Sequence, residues 1–124
     1  MLLSREKSQV LIVDVQDKLL NAISGADRVI DRCVRLVLAA RKLAIPVTMS
    51  EQYPQGLGPT HDSVRDAFAN EGFVADKTEF SCMRNDMLRD RLHDLRRLGR
   101  PQVVIGGIEA HVCVAQTAMD LESQ

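Results

Sequence analysis

The chain has 124 residues, enough for one domain that buries roughly two thirds of its unfolded surface. Sixteen Lys and Arg against 17 Asp and Glu leave a formal charge of −1, which excludes a strong field for steering nucleic acid or acidic membranes and points to small or neutral partners. Cys33, Cys82 and Cys113 are odd in number, far apart and without CxxC or Cys/His zinc spacing. A reducing, cytoplasmic setting is therefore expected, and no metal site or cofactor. The N-terminal MLLSREKSQ is charged before any long apolar run, and VLIV is too short to span a membrane, so no targeting or membrane segment is expected.

In chain order, SQVLIVDVQD opens with a short aliphatic run closed by an acid, the pattern of a strand buried on both faces of a parallel sheet. GADRVIDRCVRLVLAARKLAI puts Val29, Ile30, Cys33, Leu36, Val37 and Ala40 on one helical stripe with charges opposite. Pro46 stops that helix and PVTMSEQ follows as a second strand, which completes a βαβ unit. After the turn-rich tract EQYPQGLGPTHDS, THDSVRDAFANEG predicts a short helix ending at Gly72, and GFVADKTEF a third strand. RNDMLRDRLHDLRRLG predicts a longer amphipathic helix capped by Asn85 and stopped by Gly99. Its interleaved charges read as a solvated face. RPQVVIGG is the fourth strand and EAHVCVAQTAMDLESQ the last helix. Four alternations predict a three-layer α/β/α, Rossmann-like fold with a parallel sheet ordered 3-2-1-4.

Such sheets place ligands beyond the carboxyl ends of their strands, and this rule selects Asp14, Glu51, Asp76, Lys77 and Cys113. By position, Cys113 is either a buried filler or a nucleophile. It falls in the first turn or so of its helix, where free N–H groups and the positive dipole end favour a thiolate. Cys33 lies on an apolar stripe and Cys82 follows the third strand beside Phe80, which gives both weaker claims. Asp14 is placed to take a thiol proton, or simply to cap a loop. Lys77 is placed to support the charged pair, or simply to sit in solvent. Backbone amides of the GGIEAHVC turn can converge on one oxyanion, and Gly106 and Gly107 permit close approach. That turn is not GxGxxG, and DVQDKLL after the first strand has no glycine run, so a dinucleotide or flavin site has little support.

LIVDVQ at 11–16, ADKTEFSC at 75–82 and GGIEAHVCVAQTAMDL at 106–121 together resemble the isochorismatase-like cysteine hydrolases, a family that includes nicotinamidases and carbamoylsarcosine amidases. The resemblance runs over essentially the whole chain, 1–124. It implies a catalytic Asp14, Lys77 and Cys113, a cis peptide at Ile108–Glu109, and an oxyanion hole made by the backbone N–H groups of Glu109 and Cys113. It implies a covalent thioester route for hydrolysing a small-molecule amide or related C–N bond. Gln16, Tyr53 and Phe80 flank these positions and are expected to line the pocket.

Two departures qualify the resemblance. Nicotinamidases carry an aspartate and histidines after the second strand that bind a metal, whereas EQYPQGLGPTH offers the single histidine His61, so the substrate-unassigned branch fits better. Relatives also continue from the cysteine helix into further strands. The expectation is a truncated chain or omitted tail, and a homo-oligomer in either case, since an aliphatic edge strand invites pairing. The competing expectation is a binding or assembly protein of the same fold without turnover.

Overall fold

The computed structural model describes residues 2–124. The strands are β1 (Ser8–Val13), β2 (Val47–Gln52), β3 (Phe73–Lys77) and β4 (Gln102–Gly107). Among the described residues they form one parallel sheet in the order β3-β2-β1-β4, as the alternation predicts. Register pairs Val13 with both Ser50 and Gly107, and Gln52 with Lys77, so all four strands end near one line. The helices are α1 (Asp17–Leu20), α2 (Ala26–Lys42), α3 (Pro54–Leu57), α4 (Asp62–Phe68), α5 (Asp86–Arg97) and α6 (Ala115–Glu122).

Every residue of β1 is buried, and its side chains alternate between two cores. Val10 and Ile12 join Cys33, Val37 and Ala40 of α2 and Val64, Ala67 and Phe68 of α4. Leu11 and Val13 join Leu88 and Leu92 of α5 together with Cys82, Met83 and Cys113. These two cores make the three layers. Val29, Ile30 and Leu36, assigned to the α2 stripe from sequence, pack against the first core from its rim. Asn85 caps α5 by accepting the Leu88 N–H at 3.1 Å.

Two boundaries differ from expectation. The helix predicted to run to Gly72 ends at Phe68, because Ala69 and Asn70 both turn left-handed (φ 50° and 61°). Gly72 serves packing instead: a Cβ there would stand 2.4 Å from the Phe68 ring and 2.6 Å from the Val47 carbonyl oxygen. The predicted last helix opens with a π-helical turn over Ala110–Val114 before α6 begins, so Cys113 sits in a wide turn rather than in an ordinary first turn. No helix among the described residues is long and apolar enough to cross a membrane.

Candidate active site

The crevice is built where β1, β2 and β3 end and the π-helical turn begins. Asp14 follows β1 with φ 52°, a left-handed conformation tolerated by aspartate better than by most residues. Its N–H is held by the Ser50 carbonyl at 3.2 Å. The carboxylate is fully buried, with Oδ2 accepting from Lys77 Nζ at 2.9 Å and Oδ1 accepting from Ser50 Oγ at 2.7 Å. Lys77, the last residue of β3, spends its three ammonium protons on Asp14, on Gln52 Oε1 at 2.5 Å and on the Glu79 carbonyl at 2.9 Å. Cys113 Sγ lies 3.6 Å from the same nitrogen. Three residues remote in sequence thus meet around one ammonium.

The electrostatics of Cys113 correct one expectation. Its thiol is pushed up to about 11, first by burial and then by the hydrogen bond to Asp14 and the negative charge of that carboxylate, against which Lys77 pulls down. The helix-terminus argument predicted the opposite direction. It fails because Cys113 is only 7% exposed and burial, together with the Asp14 carboxylate, opposes the thiolate. In the resting protein Cys113 is a thiol at neutral pH, its sulfur accepting from Lys77 Nζ at 3.6 Å, and a nucleophile must be made by moving its proton. Cys33 and Cys82 are also raised by burial, so no free thiolate waits at any cysteine at neutral pH.

The other selected residues separate according to strand alternation. Ser50 and Gln52 face the crevice with Lys77, whereas Glu51 turns to the opposite side, where it accepts from Thr60 N–H at 2.5 Å and Thr60 Oγ1 at 2.8 Å. Asp76 is exposed. Gln16 is wholly buried, with its amide donating to the Gln52 and Gly58 carbonyls (2.9 and 2.7 Å) and its Oε1 accepting the Gln52 N–H at 2.7 Å. It braces the end of β2 against the following loop rather than presenting a free polar group. Tyr53 and Phe80 are each 54% exposed, on the segments that follow β2 and β3. Tyr53 also adopts a left-handed backbone (φ 37°), and its N–H is fixed by the Lys77 carbonyl at 2.9 Å.

On the fourth side, the Ile108–Glu109 peptide is cis, as the resemblance implied. The Glu109 carbonyl accepts from both Val112 and Val114 N–H, at 3.1 and 3.2 Å, which closes the wide turn bearing Cys113. His61 caps α4, its Nδ1 accepting the Ser63 N–H at 3.1 Å. No group of three or more metal-binding side chains comes together among the described residues. Sequence reasoning missed Ser50 and Gln52. The signal was the period of two along β2, which places both on the Lys77 side once Glu51 is seen to face away.

This fold recurs in known proteins. Residues 8–123 match the isochorismatase domain. The chain belongs to the isochorismatase family. It is 39% identical over 121 residues to isochorismatase domain-containing protein 2 of Danio rerio, covering 96% of this chain and 57% of that protein. To the protein of the same name from Rattus norvegicus it is 35% identical, covering 94% and 52%. Among solved structures, a MAR1 ribonuclease from Caenorhabditis elegans superposes with a TM-score of 0.87 at 36% identity, covering 98% of this chain and 60% of that one. An Escherichia coli protein described as an octameric hydrolase of unknown specificity shares the fold, with a TM-score of 0.86 at 22% identity over 98% of this chain and 59% of that one. The family member described here therefore spans little more than half the length of these curated relatives.

Proposed function

We propose that the chain carries the catalytic centre of a cysteine hydrolase that cleaves a small-molecule amide or related C–N bond through Asp14, Lys77 and Cys113. The observation that carries this reading is the Lys77 ammonium, buried between the Asp14 carboxylate at 2.9 Å and the Cys113 sulfur at 3.6 Å. A buried lysine shared between a carboxylate and a thiol at the carboxyl edge of a parallel sheet is the kind of charge cluster that marks a functional site.

In the proposed reaction Asp14 takes the Cys113 proton as the sulfur attacks the substrate carbonyl carbon, and Lys77 offsets the charge that remains in the crevice. The negative oxygen of the tetrahedral adduct is received by the backbone N–H groups of Glu109 and Cys113. Collapse of the adduct breaks the C–N bond. The leaving nitrogen takes the proton from Asp14, and an S-acyl thioester stays on Cys113. Water, deprotonated by Asp14, then attacks the thioester. The acid departs and the thiol recovers its proton. Tyr53 and Phe80 form the rim that receives the substrate, while Gln16 stands behind it and sets the position of β2.

The balanced charge supports a small substrate over RNA, so the ribonuclease name of the nematode protein is not carried over. A homo-oligomer in a reducing, cytoplasmic setting belongs to the same proposal, the setting supported by the three free cysteines and the assembly by the octameric hydrolase that shares the fold.

The test is a panel of small amides and ureas offered to the wild type, Cys113→Ala and Asp14→Asn, with acyl-enzyme trapping followed by mass spectrometry. Turnover by the wild type alone, with an adduct on Cys113, is the expected outcome. Hydrolysis surviving in Cys113→Ala removes the covalent mechanism.

A further inference from the structure

The Asp14 carboxylate has two oxygens and two quite different partners. Lys77 can only donate, and it does so to Oδ2 at 2.9 Å. Ser50 Oγ, 2.7 Å from Oδ1, is a hydroxyl that donates to a carboxylate and accepts from a carboxylic acid. The same residue also grips the Asp14 backbone, since its carbonyl accepts the Asp14 N–H at 3.2 Å. Asp14 is in a left-handed conformation, so its side-chain direction depends on such anchors. Ser50 is 1% exposed, and water cannot take its place.

We propose that Ser50 is the positioning residue of this site: its hydroxyl holds Asp14 Oδ1 in both protonation states and sets the pH range over which Asp14 can accept the Cys113 proton. The inference rests on the Asp14–Lys77–Cys113 reading above. When Asp14 is ionised, Ser50 donates to Oδ1. When Asp14 has taken the thiol proton, Ser50 Oγ accepts from it, because a hydroxyl can do either. The titratable groups facing Asp14 are Lys77 from β3, Cys82 from the turn after it and Cys113 from the π-helical turn. Lys77 is already committed to three oxygens, and both cysteines are neutral near pH 7. Ser50 is therefore the one neighbour that can reverse its hydrogen bond without a change of charge.

The test uses iodoacetamide labelling of Cys113, read by peptide mass spectrometry from pH 4 to 10, and needs no substrate. In the wild type, proton sharing between Asp14 and Cys113 gives an acidic limb followed by a plateau. Asp14→Asn is expected to abolish both and leave an alkaline rise alone. Ser50→Ala keeps the backbone contacts and removes one atom, and a hydrogen bond to a charged group is worth enough to move the limb upward by about one pH unit. Ser50→Thr, which restores a hydroxyl, is expected to return the limb to the wild-type position. A wild-type limb that vanishes in Asp14→Asn but is unmoved in Ser50→Ala overturns the role of Ser50 and leaves Asp14 as the base. Equal shifts in Ser50→Ala and Ser50→Thr overturn it too, because the hydroxyl would then not be the agent. A wild-type profile identical to that of Asp14→Asn removes the underlying reading and this inference with it.

Discussion

Replacing Lys77 by methionine separates what the buried ion pair contributes to stability from what it costs to break. Both side chains are fully buried and their charged atoms are 2.9 Å apart. At an effective dielectric of about 20 the direct attraction at that separation is about 6 kcal/mol. Removing each ion from water costs several kcal/mol, so the intact pair is close to neutral for folding. Breaking it is another matter. Lys77→Met would leave the Asp14 carboxylate buried without its counter-charge, held only by the neutral Ser50 hydroxyl, and would leave the Gln52 and Glu79 oxygens without their donor. The expected loss is about 3–5 kcal/mol. Asp14→Asn/Lys77→Met removes both charges, and its loss should fall short of the sum of the two single losses by at least about 2 kcal/mol. Urea unfolding of the four proteins at pH 7 measures this coupling. Additive losses, or a Lys77→Met variant within about 1 kcal/mol of the wild type, would refute the claim that Lys77 is the partner of a desolvated carboxylate.

Two further outcomes follow from the fold around the crevice. Gly107→Ala would place a Cβ 2.2 Å from the Val13 carbonyl oxygen at φ 124°, so thermal unfolding should report a loss of about 3 kcal/mol or more, whereas at Gly106 the nearest obstacle is the movable Leu36 side chain at 3.2 Å and the loss should be much smaller. Equal losses at the two glycines would remove the steric account. The raised thiol of Cys113 makes stability depend on alkaline pH: its folded value of about 11 lies above the ordinary value of 9, so its contribution is complete below about pH 9 and is lost as pH rises through about 11. The difference in urea midpoint between wild type and Cys113→Ala should therefore narrow across that window, by on the order of 2 kcal/mol in stability, and a difference that is constant from pH 8 to pH 11 contradicts the assignment.

The architecture was legible because parallel sheets write themselves plainly into sequence. An aliphatic run such as VLIV, buried on both faces, followed by a helix with one apolar stripe, admits few arrangements, and the strand order follows from short right-handed connections. The carboxyl-edge rule then named Asp14, Lys77 and Cys113, and the chain does bring them together. That rule selects by chain position and ignores which face a side chain takes. It therefore also selected Glu51, which points away to Thr60, and Asp76, which is exposed, while passing over Ser50 and Gln52, one residue to either side of Glu51. The direction of the Cys113 shift was misread for a related reason. A helix terminus is visible in sequence, but the distance to a carboxylate in another strand is not.

What remained hidden is concentrated where local preference is broken. Asp14 and Tyr53 have left-handed backbones without being glycine, and the turn before Cys113 is π-helical rather than α-helical. Propensity argues against each of these one residue at a time; Asp14 is held by Ser50 and Tyr53 by the Lys77 carbonyl, both from other strands, while the wide turn is closed by its own Glu109 carbonyl. The same contacts converge on the crevice. Lys77 illustrates the economy, since its side chain binds Asp14 while its carbonyl fixes Tyr53 at the rim. A substitution that altered either end would disturb charge and pocket shape at once. At Asp14 and Tyr53, local irregularity and proposed chemistry coincide because both depend on contacts that arise only after the ends of β1, β2 and β3 are assembled.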